Sequence, residues 1–167
     1  MLMKVGLLPA LLLASSLAGA QMPDSNWAGT WTLNVANSVL VPTIPKSETV
    51  FIPAPGWSAN AVKCTITSTA GDGSGFNVSF DGAADGKPYP VMSDGKEAAQ
   101  SIWHRRSSHH YSATFTYPHG KTVAVAILMA PDGKRITLQT HVTTSTGLSH
   151  ITAPAGNSDE TAVFDKE

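Results

Sequence analysis

Polar and apolar residues alternate with a period of two along much of this chain. The alternation is clearest at residues 76–80, 111–117 and 136–142. Because successive side chains of a strand point to opposite faces, this pattern predicts half-buried strands. Residues 122–129 are apolar on both faces. This pattern predicts a strand whose two faces are both covered by other parts of the protein, or a strand with one face that lines a cavity. The predicted strands lie near 27–34, 48–53, 61–69, 75–81, 99–106, 109–117, 121–130, 134–143, 147–152 and 160–166.

Turn signals separate these runs. Asp-Gly occurs at 72–73, 81–82, 85–86, 94–95 and 132–133, and His119-Gly120 resembles another hairpin tip. Asp and Gly tolerate the positive φ of tight hairpin turns. Four prolines, at 42, 45, 53 and 55, predict an irregular excursion between the first strands. Helix signals are nearly absent, so the chain is predicted to be an all-β antiparallel meander closed into a barrel, with a β-sandwich as the alternative.

The first twenty residues predict a cleavable secretory signal. Lys4 supplies the positive charge, residues 5–17 the apolar run, and Ala18-Gly19-Ala20 a cleavage site. The run is shorter than the ~20 apolar residues of a spanning helix. Gln21 stands where a lipoprotein signal has cysteine. We therefore expect a signal peptide over 1–20, one domain over 21–167, no membrane anchor, and a secreted or periplasmic location.

The charge of the chain argues against one class of partner, and its cysteine content argues against disulfide bonds. Without Lys4 the chain has ten basic and twelve acidic residues, a net charge of −2. No basic stripe is present, so nucleic acid is not an expected partner. Cys64 is the single cysteine and is in phase with Val62 and Ile66. We expect a buried thiol in a fold without disulfides. No oligomeric state follows from the sequence.

Several short motifs resemble a known group. Gly29-Thr30-Trp31 is similar to the opening of lipocalins and related calycin barrels, in which the tryptophan closes the barrel floor. A basic residue from a late strand often packs over its ring there, and the resemblance assigns that part to Arg135. Asp-Gly-Lys-Pro-x-Pro at 85–90, Pro-Asp-Gly-Lys at 131–134 and the closing run 162–166 resemble secreted bacterial lipocalin-like proteins of unknown function. The resemblance implies a lipocalin-like barrel and export, and it carries no activity.

Histidines are concentrated in residues 101–111. A metal site needs three or more converging ligands. His104, His110 and His141 could converge only if their strands were neighbours in matching registers. Alternation instead places His110 and His141 on the solvent face, and no tight metal-ligand spacing is present. No metal and no cofactor are predicted.

An enzyme is the second function class. A histidine inside an apolar barrel could shuttle protons near neutral pH, in an isomerase, cyclase or lyase type of reaction. His104 or His110 would be the base, with Tyr111 or Arg105 orienting it or stabilising an anion. This hypothesis rests on analogy between folds.

The favoured function is binding of a small apolar or lipid-like molecule. A barrel of eight or more strands can enclose a cavity, and large and small residues mix on the apolar faces. A third alternative is an envelope-associated structural domain with a filled core, because core and pocket residues look alike in sequence. The predicted lining comprises Trp103, Tyr111, Phe115, Val125, Ile127 and Leu138.

Overall fold

The computed structural model describes residues 25–40, 45–144 and 158–167. These residues form ten strands and three single-turn 3-10 helices, the latter at Ser25–Trp27, Val35–Asn37 and Pro118–Gly120. The strands are β1 (Gly29–Leu33), β2 (Pro45–Ile52), β3 (Val62–Ala70), β4 (Gly75–Gly82), β5 (Asp85–Ser93), β6 (Lys96–Ser107), β7 (His110–Thr116), β8 (Lys121–Met129), β9 (Arg135–Thr144) and β10 (Ser158–Lys166).

Each strand pairs antiparallel with its neighbours in the chain, and β1 also pairs with β10. The last contact closes the sheet into a barrel. The predicted closed antiparallel meander is confirmed, and the sandwich alternative is wrong.

Strand β5 is the main departure from the predicted strands. Pro88 and Pro90 fall inside it, and proline cannot donate to a ladder. The structure accommodates both because β5 pairs with β4 only through Val91, Met92 and Ser93, whereas it pairs with β6 along most of its length. The strand predicted near 147–152 and the signal predicted at 1–20 lie outside the described residues.

Three of the five Asp-Gly pairs lie in turns. Asp94 and Gly95 join β5 to β6 with φ of 47° and 80°, and the pairs at 72–73 and 132–133 also lie in turns. The pairs at 81–82 and 85–86 lie inside β4 and β5, and the connection between these strands falls on residues 83–84. His119-Gly120 forms the predicted hairpin tip, with the Tyr117 amide donating to the Lys121 carbonyl at 2.9 Å.

The two ends of the barrel differ in how their inner faces are filled. The closed end, where β1 begins and β10 ends, holds a packed cluster of aromatic side chains. The open end lies opposite, where β2, β8 and β10 begin. Inner-face side chains near it are only half-buried. Water therefore reaches the interior from the open end more readily than from the closed end.

In the described ranges, the structure has no helix with the length and apolar character needed to cross a bilayer.

Candidate functional site

Two segments outside the strands supply the plug of the closed end. Trp27 comes from the 3-10 helix before β1, and Trp57 from the proline-containing connection between β2 and β3. Their rings stack with centroids 4.9 Å apart. Tyr111 of β7 meets both edge-on, at 5.2 and 5.3 Å. Stacked and edge-on contacts are favoured geometries for aromatic rings, so these three rings form a rigid floor.

The same cluster extends into the barrel through Trp103 of β6. Its ring lies edge-on to Trp57 at 5.4 Å and stacks on Phe80 at 5.0 Å. Trp103, Tyr111 and Ile127 are at most 3% exposed. These three predicted lining residues therefore lie in the packed closed end.

Hydrogen bonds hold the indole rings of the floor in place. The indole N–H of Trp27 donates to the Ser108 carbonyl at 2.7 Å, and that of Trp57 donates to the Lys63 carbonyl at 2.9 Å. Trp31 donates to the Trp27 carbonyl at 3.0 Å. Buried polar groups need such partners, and these hydrogen bonds fix the orientation of the three indole rings.

Lys166, from the last strand, explains why a glycine stands two residues before Trp31. Lys166 Nζ lies 5.0 Å from the centroid of the Trp31 ring and donates to the Asn26 carbonyl at 2.9 Å. Its side chain passes so close to Gly29 that an added Cβ there would lie 2.9 Å from Lys166 Cε. Gly29 also has a φ of 135°, which side-chain-bearing residues rarely adopt.

The cation over Trp31 is thus Lys166, which differs from the expectation for Arg135. Arg135 points outward, where its Nε donates to Asp165 Oδ1 at 2.8 Å. In the described residues, Lys166 and Lys121 are the lysines found over aromatic rings. The resemblance supplied the right kind of contact from a late strand, but Lys166 lies one strand further along than Arg135.

The open half of the interior is lined by apolar side chains that water still reaches. Phe115, Val125 and Leu138 pack against the core, yet each remains half-buried. The cross-strand register places Phe115 beside Val123 and Leu138 beside Ile127, so all of them share the inner face. These three predicted lining residues therefore border the accessible space.

Two carboxyl groups also belong to the inner face near the open end. Glu48 of β2 is opposite Ser68 of β3, and Glu160 of β10 is opposite Thr140 of β9. The sequence prediction placed Glu48 and Glu160 at the first positions of their strands and assigned them no role. The alternation along β2 could have shown that Glu48 faces inward, because Glu48 is on the same side of the strand as Val50 and Ile52.

The four residues proposed for catalysis lie on two sides of the barrel wall. Arg105 and Tyr111 are cross-strand partners on the inner face, whereas His104 and His110 lie on the outer face. His104 is exposed, and His110 is half-buried. The structure therefore does not bring a histidine together with Arg105 or Tyr111 inside the barrel. Nothing in this geometry favours the acid–base hypothesis.

The outer wall of β6 to β10 borders a pocket of about 690 Å³, whose lining also includes Val125 and Glu160. Its floor is made of small residues on β7 and β8, and its flanks carry His104 and His141. Those histidines belong to β6 and β9, which are roughly 14 Å apart at the usual strand spacing. His141 Nδ1 lies 2.6 Å from Asp159 Oδ1 at the surface.

Metal and thiol chemistry find no support at these positions. Within the described ranges, no group of three histidine, cysteine, aspartate or glutamate side chains could hold a metal ion. Cys64 is buried as predicted, and burial raises the pKa of its thiol to about 12. A thiol of that pKa stays protonated and unreactive at neutral pH.

The geometry defines a closed, ten-stranded antiparallel barrel with one plugged end and one accessible end. Among solved structures, the chain is similar to a fatty acid binding protein of Schistosoma mansoni in complex with arachidonic acid. The two share 13% identity with a TM-score of 0.51, over 87% of this chain and 99% of that one. This likeness shows the fold.

A second similar structure is that of EF1p2_mFAP2b bound to DFHBI. It shares 13% identity with a TM-score of 0.43, over 85% of this chain and 94% of that one. Neither protein-family models nor curated proteins give a match to the sequence.

Proposed function

We propose that this protein binds a small apolar or lipid-like molecule in the open half of its barrel. The observation that carries the proposal is the half-burial of Phe115, Val125 and Leu138, which face the inside of a closed barrel. A side chain on the inner face stays accessible only where the interior is not filled by its neighbours. The open half therefore has room for a guest.

The hydrophobic effect supplies the driving force. Each Å² of apolar surface removed from water is worth about 25 cal/mol. In this barrel the exposed part of the inner face is mostly apolar, so a guest that covers it would be stabilised by that burial. The filled-core alternative describes the closed end, where Trp27, Trp31 and Tyr111 are fully buried. It does not describe the open half.

The fold supports the same proposal. The Schistosoma mansoni protein was solved in complex with arachidonic acid. A protein with a barrel of this architecture can therefore bind a fatty acid. Fold alone does not specify a ligand, so the proposal depends on the accessible inner face of this chain.

Two tryptophan substitutions on adjacent residues of β8 test the proposal. Val125 faces the interior opposite Ala113 and Thr140, so Val125→Trp would fill the open half. Ala124 is exposed on the outer wall, so Ala124→Trp adds the same ring outside. Both proteins are first checked for a cooperative melt.

Binding is then measured with N-phenyl-1-naphthylamine, an uncharged dye that fluoresces in apolar sites. We expect the wild type and Ala124→Trp to bind it, and Val125→Trp to bind at least roughly tenfold more weakly. Equal binding by both variants, or no binding by the wild type, would overturn the proposal.

We also propose that the protein is exported and that its first twenty residues are removed on export. Support comes from the sequence of residues 1–20 and from the small residues before Gln21. Expression with a C-terminal tag in a secretion-competent host, followed by intact-mass analysis, tests it. A chain that begins at Gln21 in the extracytoplasmic fraction is the expected result. An uncleaved chain in the cytoplasm would contradict it.

A further inference from the structure

We propose that the open end selects ligands with a cationic head group, held between the carboxyl groups of Glu48 and Glu160. This inference rests on the proposed function and specifies the chemistry of the ligand. The apolar body would lie against Phe115, Val125 and Leu138, and a protonated amine would lie towards the mouth of the barrel.

The positions of the two carboxyl groups come from the register. Glu48 and Val50 are on the same side of β2, and Val50 is 5% exposed in the core. Glu160 and Phe164 are likewise in phase on β10, and Phe164 is fully buried. Both glutamates therefore point inward, one from each of the strands that flank β1.

The surroundings disfavour negative charge at both positions. Burial raises the pKa of Glu48, the Ser68 hydroxyl lowers it by a smaller amount, and the nearby charge of Glu160 raises it by less again. Burial also raises the pKa of Glu160. A carboxylate that has lost part of its hydration is stabilised by an opposite charge.

Among the side chains that the structure describes, no ion pair includes either of these two carboxyl groups. The ion pairs join Lys63 with Asp81, Lys87 with Asp85, Arg135 with Asp165, and His141 with Asp159. Two inward carboxyl groups thus share the open end of the barrel, and the ion pairs of the described side chains lie elsewhere.

Ser68 gives an independent indication of a ligand at this place. It is 0% exposed and lies opposite Glu48, yet its Oγ makes no hydrogen bond of good geometry with the protein. The hydroxyl is still close enough to Glu48 to lower the pKa of that carboxyl. A buried hydroxyl is normally satisfied, so Ser68 Oγ is available to accept an N–H from a bound group.

A protonated amine satisfies these requirements together. It carries three donors and one positive charge, which match two carboxylates and one hydroxyl oxygen. A carboxylate head group would instead add a third negative charge at the same end. The site therefore favours a cationic amphiphile over a fatty acid of equal length.

The test compares dodecylamine, dodecanol and dodecanoate, which share one chain length and differ in head-group charge. Each displaces the uncharged dye below its micelle-forming concentration. At about pH 8 the amine is protonated and ordinary carboxyl groups are ionised. We expect dodecylamine to bind roughly tenfold more tightly than dodecanol, and dodecanoate to bind most weakly.

Substitution of the two glutamates then tests whether they cause the preference for dodecylamine. In the double variant Glu48→Gln/Glu160→Gln, dodecylamine and dodecanol should bind within about twofold of each other. Glu97→Gln is the matched control, because Glu97 is exposed near the same end and bonds to Gln100. That control should keep the full preference for the amine.

The outcomes separate this inference from the proposed function. If all three ligands bind alike, or dodecanoate binds best, the cationic preference is wrong and apolar binding stands. If no ligand displaces the dye, or no dye binds, the proposed function fails as well. A preference for the amine that survives the double substitution would also overturn the assignment to Glu48 and Glu160.

Discussion

The closed and open ends of this barrel are built from the same ten strands, but they use their inner faces differently. At the closed end, Trp27 and Trp57 enter from outside the strands and fill the space with stacked rings. At the open end, Phe115 and Val125 leave part of the inner surface to water, and Glu48 and Glu160 add charge. Tight packing is therefore concentrated at one end, and the proposed binding site lies at the other.

The strongest test of this contrast removes one large side chain from each end. Trp27→Ala deletes a fully buried ring and its hydrogen bond to Ser108. We expect a loss of about 3–5 kcal/mol in the free energy of unfolding, measured with urea. Val125→Ala should cost about 1 kcal/mol, because Val125 is half-buried. Similar losses for the two variants would refute the division of labour between the ends.

Cys64 reports on the packed region without any substitution. Its thiol is buried and has a pKa of about 12. An aromatic disulfide reagent should therefore react with it at least a hundredfold more slowly in the folded protein than in the unfolded chain. This rate difference corresponds to about 2.8 kcal/mol. The rate is followed by absorbance in native buffer and in urea. Fast reaction in native buffer would show that this part of the interior is open.

Gly29 tests the approach of Lys166 over Trp31. Gly29→Ala places a side chain at a φ of 135° and 2.9 Å from Lys166 Cε. We expect a loss of about 1–3 kcal/mol by urea denaturation. Gly71→Ala is the control, because its Cβ would have open space within 4 Å and no unusual φ. If both variants matched the wild type, the constraint on Gly29 would be absent.

Glu48→Gln has the smallest expected effect on the free energy of unfolding. Unlike the substitutions above, it should stabilise the protein. Burial raises the pKa of Glu48 above its usual 4.5 in the folded chain, so the folded state binds its proton more tightly than the unfolded state does. The destabilisation by the ionised carboxyl is full above the folded pKa and disappears as pH falls below 4.5.

Glu48→Gln should therefore stabilise the protein by roughly 0.5 kcal/mol at neutral pH, and not at acid pH. Glu160 on β10 and Ser68 on β3 are the groups that act on this carboxyl. Thermal melts across pH measure the difference, with Glu97→Gln as the exposed control. A gain that grows as pH falls would reverse the sign and refute the account of Glu48.

The closed barrel followed from the sequence because alternation and turn chemistry are local signals. The same logic missed β5, since Pro88 and Pro90 read as strand breakers when the neighbouring strand is unknown. They are tolerated because β4 pairs only with the last three residues of β5. That is a property of register, and register depends on the whole barrel.

The candidate site was only partly predictable. Phase placed Phe115 and Trp103 correctly on the inner face, but it could not show that Trp103 is packed and Phe115 is accessible. That difference arises because Trp27 and Trp57 fill one end from outside the strands. Glu48 and Glu160 were missed because each stood at the first position of a predicted strand, where charge usually faces solvent.

The most direct test of the central claim is a two-dimensional NMR titration with dodecanol, a neutral ligand. The methyl groups of Val125 and Leu138 report on the open half, and the indole N–H groups of Trp27 and Trp57 report on the plug. The account predicts saturable shifts of those methyl signals, with the Trp27 and Trp57 signals unchanged. Unchanged methyl signals, or shifts confined to the plug or the outer wall, would contradict it.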